Sequence, residues 1–209
     1  KQGTETAIKA GADVINSDDR GEPPLHKVRI SKDYVSILRL LLAAGADINA
    51  KNANAETLLT RIAPMKIEPS IVQAIIAAGA DVNMADDSGY NPIYWAVRNN
   101  RRETVELLIK AAAELNLVFP KDRGMTPLIL ASEAGHTDLV PLLIKADSDL
   151  GGRDSNGNTA LHWAAKNGHI QVAKLLIDAG AYINATDNNG GTPLMMARYF
   201  KQKKMVHQI

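Results

Sequence analysis

Five histidines are the residues of this chain best suited to acid–base or metal chemistry. Their spacing decides against both. His26 and His162 each close a short Pro/Thr-led head, Pro23-Pro24-Leu25-His26 and Thr159-Ala160-Leu161-His162, while His136 and His169 each follow a glycine. No His-x-x-x-His pair and no Glu pair places two ligands one helical turn apart, so these four histidines are expected to be structural. His207 is expected on the solvated side of a terminal helix. The carboxylate pairs Asp18-Asp19 and Asp86-Asp87 sit in turn sequences, where such side chains bond nearby backbone rather than share a catalytic proton. Gly151-Gly152 and Gly190-Gly191 lack the Gly-Lys-Ser/Thr ending and the preceding strand of a phosphate cradle. Cysteine is absent, which removes thiolate nucleophiles, Cys-ligated zinc and disulfides. No catalytic residue, cofactor or metal is expected.

What remains is recognition. The chain has two tryptophans, Trp95 and Trp163, and both directly follow the fourth residue of a recurring head. Leu130 and Met196 hold the same place in two other heads, and Lys27 and Arg61 hold it in the first two. Trp95, Leu130, Trp163 and Met196 make a row of equivalent places that would be an apolar strip where the architecture presents it to solvent. Such patches are common interaction sites, and Trp is enriched at binding hot spots. The row turns basic at Arg61 and Lys27, which suits a ligand apolar at one end and acidic at the other.

The heads that position this row begin at residues 23, 57, 91, 126, 159 and 192, so the period is 33 to 35 residues. A fixed period of that length specifies stacked repeats rather than one globular core, and an extended surface rather than a single deep cleft. One unit shows the local logic. Asp154 to Asn158 is turn chemistry, and Thr159 is an N-cap. A short helix follows from Ala160 to about Asn167 and stops at Gly168. A second helix runs from about Ile170 to Asp178 with Val172, Leu175, Leu176 and Ile177 on its apolar face. Gly180-Ala181-Tyr182-Ile183-Asn184 leads into the next turn, as Gly45-Ala46-Asp47-Ile48-Asn49 and Gly79-Ala80-Asp81-Val82-Asn83 do elsewhere.

Heads close to Thr-Pro-Leu-His-x-Ala and tails close to Gly-Ala-Asp-x-Asn resemble the ankyrin repeat across essentially the whole chain. That resemblance implies an all-α ankyrin-repeat solenoid, stacked helix–turn–helix units joined by β-hairpin-like loops, as one domain over residues 1–209. The frames are a partial repeat 1–16, repeats 17–50, 51–84, 85–117, 118–152 and 153–184, and a shortened repeat 185–209. Several positions depart from the pattern. The first two full repeats lack a Gly-His corner, and the second carries Pro64 and Pro69 there, which makes it the expected weak point. The third ends in Ala112-Ala113 instead of Gly-Ala. The hairpin from Leu117 to Gly124 is about two residues longer than its sisters and is expected to display Phe119.

The resemblance also implies that His26 and His162 bond the turn beside them. It places the row of Trp95, Leu130, Trp163, Met196 and Arg61 on a concave groove. The corner residues Arg98, Asn99, Lys166 and Asn167 then line the inner surface, and Tyr90, Arg123 and Met125 lie at turn tips. With Phe119, these are the expected partner-binding residues. The partner is expected to be a protein: a net charge of +1 gives no long-range field for nucleic acid, and no apolar run approaches the ~20 residues a membrane helix needs. The chain is expected to be a monomer, not an enzyme, and soluble, with an intracellular setting favoured. Two alternatives remain open: a targeting domain of a larger enzyme or effector, and a self-associating scaffold. The opening at Lys1, partway through a repeat, reads as a piece of something longer.

Overall fold

The computed structural model describes residues 2–206; His207 lies outside them. Every regular element in that span is a helix or a 3-10 turn. The helices are α1 (Gln2–Lys9), α2 (Tyr34–Ala43), α3 (Leu58–Ile62), α4 (Pro69–Ala77), α5 (Pro92–Arg98), α6 (Arg102–Lys110), α7 (Pro127–Ala134), α8 (Val140–Lys145), α9 (Ala160–Asn167), α10 (Ile170–Asp178), α11 (Pro193–Tyr199) and α12 (Lys203–Val206). Contacts gather into two compact units, one ending at Pro92 and one beginning at Ile93. In the first, α2 packs on α1 and α4, and α3 on α4. In the second, α9 packs on α7, α10 and α11, with α8 against α7 and α10. The cores are thin aliphatic layers: Leu38, Leu59 and Ile75 in the first unit, Leu108, Leu128, Leu143, Leu161 and Leu176 in the second.

The turns are built by one repeated device. The backbone N–H of Asp18, Asn52, Asp86, Asp154 or Asp187 donates to the carbonyl four residues later, at 2.8–3.2 Å. The side-chain oxygen of the same residue accepts the N–H groups two and four residues on, as Asp154 Oδ1 does from Asn156 and Asn158, both at 2.8 Å. This is the turn role of Asx side chains. Consecutive turns then bond tip to tip: the N–H of Asp87 donates to the Asn54 carbonyl (3.1 Å), that of Ser155 to Arg123 (2.8 Å) and that of Asn188 to Asn156 (2.9 Å). Gly157 is required at such a contact, because a Cβ there would stand 2.8 Å from the Asn188 backbone nitrogen.

The long hairpin keeps the closing bond but spans two more residues, from the Phe119 N–H to the Met125 carbonyl (2.9 Å). The two residues form an isolated antiparallel bridge. Phe119 stands where the other turns place Asp or Asn, and it is not displayed. It is 1% exposed, with its ring edge-on to Tyr94 at 4.8 Å. The expectation of a projecting Phe119 is corrected: with no Asx oxygen to hold the turn, an aromatic packed inward takes that place.

The first repeat also departs. Its first helix is only a 3-10 turn, Pro24–Lys27. The cause is visible beside it. In the fifth repeat His162 Nδ1 accepts the Thr159 N–H at 3.1 Å and lies 3.0 Å from the Thr159 hydroxyl, while Nε2 donates to the Gly191 carbonyl at 3.0 Å. In the first, His26 Nε2 still reaches the Ala50 carbonyl (3.2 Å), but Pro23 offers neither N–H nor hydroxyl, and His26 Nδ1 is buried without a hydrogen bond, with Glu22 Oε2 4.0 Å away. In the second, Thr60 replaces the histidine and spans from Thr57 to the Met84 carbonyl.

Candidate functional site

The row of residues after the heads does not form an exposed apolar strip. Leu130 is 2% and Trp163 5% exposed, while Trp95 and Met196 are half-buried. The helix geometry explains the correction. α9 packs against both α7 and α11, its Ala160, Ala164 and Ala165 are buried, and small residues there let neighbouring helices close over Leu130 and Trp163. Met125, at a turn tip in the linear pattern, is fully buried and meets the Arg123 guanidinium through its sulfur at 3.6 Å.

The surface left over these aromatics is charged. Trp163 is fixed by its indole N–H, which donates to Asp154 Oδ2 at 2.9 Å. Two cations lie over its ring, the Arg123 guanidinium at 4.7 Å and the Lys166 ammonium at 4.2 Å. Such contacts are favourable because the ring face is electron-rich. Lys166 is also 5.0 Å from the Phe200 ring, so two aromatics orient it. Arg123 pairs with Glu133 at 2.7 Å and stands 3.7 Å from Asp122. Asp122 in turn accepts the Tyr94 hydroxyl (3.0 Å) and Arg98 (2.9 Å). Among the described residues no carboxylate lies within ion-pair distance of Lys166, which leaves it as the uncompensated cation of the group.

The corners form a ladder beneath. His169 Nε2 and the Asn167 amide both donate to the Glu133 carbonyl, at 3.0 and 2.8 Å, and the Gln202 amide donates to the Lys166 carbonyl at 3.1 Å. His136 holds the equivalent corner beside Arg98, but its Nε2 is buried without a hydrogen-bond partner. Gln202 thus fills the corner histidine's place in the last repeat. Asn99 caps its own helix through the Trp95 carbonyl at 2.9 Å. Burial pushes the His26, His136 and His162 imidazoles below the ordinary 6.5. All three are held as neutral imidazoles in the packing between repeats rather than poised as acid–base groups.

Of the expected contact residues, the structure brings Arg98, Asn99, Arg123, Lys166 and Asn167 to the surface of the second unit, beside half-buried Trp95 and Met196. Tyr90 and Arg61 belong to the first unit. Tyr90 is half-buried there, and Arg61 is engaged, donating to the His26 carbonyl at 2.8 Å and to Glu22 at 3.3 Å. Lys27 is likewise paired, with Asp18 at 2.8 Å. The linear pattern missed Asp122 and Asp154, because acidic turn residues read as backbone-binding. It also missed the exposed aromatic end of α11, where Tyr199 is 81% exposed and Met195 and Phe200 are also open. Among the described residues no cluster of three or more His, Asp or Glu could hold a metal, and no helix is long and apolar enough to cross a membrane.

Phased helix pairs, Asx-closed turns and a corner ladder define a helical repeat protein. A family model described as ankyrin repeats (three copies) matches residues 25–119, 59–154, 117–187 and 146–209, overlapping windows that cover the chain from Leu25 onward. The chain belongs to the ankyrin repeat family. Such repeats are generally protein–protein interaction modules and are typically non-catalytic. The chain is also similar to human (Homo sapiens) M-phase phosphoprotein 8, with 38% identity over 64 residues, which is 31% of this chain and 7% of that protein. The matched stretch is therefore a small part of the relative's length.

Proposed function

We propose that this chain binds a protein partner, without catalysis, through the inner surface of its second unit. Its working units are the repeat frames 17–50, 51–84, 85–117, 118–152 and 153–184, with the flanking partial repeats. The observation that carries this reading is the pair of cations held over the Trp163 ring. A buried, hydrogen-bonded tryptophan makes a rigid platform, and Arg123 and Lys166 are oriented on it before any partner arrives. Preorganised contacts lose less entropy on binding. The partner's matching surface is acidic and polar, since Lys166 lacks a counter-ion and the apolar row lies beneath the charges.

Purified wild-type protein and the Arg123→Ala/Lys166→Ala variant, matched by thermal melting, are compared in affinity capture with mass spectrometry. Proteins captured by the wild type and lost with the variant support this surface. Equal capture by both contradicts it. A second reading, that these repeats target a larger protein to its substrate, draws support from the human relative, in which the similar stretch is 7% of the length.

A further inference from the structure

The last two helices carry a surface distinct from the inner row. α11 ends at Tyr199, and the chain reverses through Phe200, Lys201 and Gln202 into α12. Lys201 takes a left-handed conformation (φ 59). The Gln202 N–H donates to the Ala197 carbonyl at 2.8 Å, and the Lys203 N–H to the Lys201 carbonyl at 2.9 Å. The Gln202 side chain is tied to the fifth repeat through Lys166, and Met205 is buried. The reversal is therefore pinned on both sides. It borders a cavity of about 350 Å³ lined by Ala197, Arg198, Lys201, Gln202, Lys203 and Val206. Ala197, Val206 and the methylene stems of the long cations make its walls apolar.

The charge around it is one-sided. Arg198, Lys201 and Lys203 are exposed, and among the described residues no carboxylate lies within ion-pair distance of any of them. The sequence from 185 to 209 holds Arg198, Lys201, Lys203 and Lys204 against Asp187 alone. Asp187 is occupied, since its Oδ1 accepts the N–H groups of Asn189 and Gly191, both at 2.8 Å. A solvated terminal face needs charge, but it needs neither a cavity nor a single sign of charge beneath it. We infer that this cavity docks an acidic peptide segment. One aliphatic side chain of the segment enters the cavity, and flanking Asp or Glu side chains pair with Arg198, Lys201 and Lys203. The volume is at the low end for ligand sites, which run from roughly 300 to 1,000 Å³, and suits a side-chain anchor better than a whole ligand.

The test uses a fluorescein-labelled synthetic peptide with one leucine flanked on both sides by glutamates, titrated with the full chain and read by anisotropy. Saturable binding that weakens as salt rises is expected. Arg198→Glu/Lys203→Glu should weaken it at least about tenfold, and the neutral Arg198→Gln/Lys203→Gln should fall between that variant and wild type. Replacing the peptide's leucine with serine should weaken it too, and a lysine-flanked peptide should not bind. The inner-row variant Arg123→Ala/Lys166→Ala should bind the peptide as the wild type does, so failure here is read separately from failure of the inner surface. No saturable binding, wild-type affinity in both Arg198/Lys203 variants, or equal affinity for leucine and serine peptides would each overturn the inference.

Discussion

His26 and His162 hold the same place in their repeats, yet only one has both ring nitrogens satisfied, and the difference traces to a single neighbour. Pro23 denies His26 the two partners that Thr159 gives His162. Pro23→Thr should therefore stabilise the protein by about 1 kcal/mol, the usual worth of an N-cap. The gain is net of the unfolded-state restriction lost with proline. Denaturant titration of the two proteins checks it, and a less stable variant would show that His26 Nδ1 is satisfied some other way.

The same histidines set an acid sensitivity. Their folded-state pKa values are lowered, with burial the largest cause, so the unfolded chain binds more protons once pH falls below the ordinary 6.5. Their contribution is complete above that value and is lost as pH drops beneath it. Asp18, held at about 2 first by its hydrogen bond with Lys27, matters only below the ordinary 3.8. Melting temperature should thus fall between pH ~7 and ~5, a window in which histidine titration dominates. A flat profile across it would contradict buried neutral imidazoles.

At the scale of the element, each repeat needs left-handed residues at fixed places, and the non-glycine residues with positive φ fall on them, except Arg123 in the long hairpin. Ala112 (φ 62) and Asp147 (φ 61) stand where Gly45, Gly79 and Gly180 stand in other tails, and Ala55 (φ 55) stands where turns use Gly21, Gly89 or Gly157. A left-handed conformation costs an ordinary residue roughly 1–2 kcal/mol. Ala112→Gly should recover about 1 kcal/mol of stability, and Gly180→Ala, with open space around its Cβ, should lose a similar amount to strain alone. Chemical denaturation of the pair checks both signs together.

Much of this level is written in the chain. The turn residues, Thr159 cap, Gly168 stop and apolar spacing place α9 and α10 at their observed bounds, because local signals and tertiary packing agree there. The candidate site was less legible. Exposure at Trp163, Leu130 and Phe119 depends on how closely neighbouring helices approach, and alanines on one helix determine what happens to a side chain on the next. Ion pairs such as Arg123 with Glu133 form between residues whose separation carries no periodic signal.

For the molecule as a whole, the repeats are unequal in what holds them. The first has a four-residue 3-10 turn in place of a helix, a buried histidine nitrogen without a hydrogen bond and an exposed Ile30. The second, expected from its prolines to be weakest, is better filled, with Leu59, Ala63 and Ile75 fully buried and Pro69 accommodated at the start of α4. The fifth, with a full capping box and six buried residues in α9, is expected to be the firmest. Amide exchange should accordingly be fastest over residues 17–50 and slowest over 153–184, since local opening follows local packing. Uniform protection would contradict an additive repeat account.

The central claim is that the corner and turn residues around Trp163 are the face a partner meets. The most direct measurement places a photo-crosslinking amino acid at Asn167, beside Lys166 on that face, and in a second protein at exposed Lys174 on α10. Both are irradiated in the same cell extract. Discrete crosslinked adducts from position 167, absent from 174 and from the Arg123→Ala/Lys166→Ala background, are the predicted result. Adducts from 174 alone, or from 167 irrespective of Arg123 and Lys166, would contradict it.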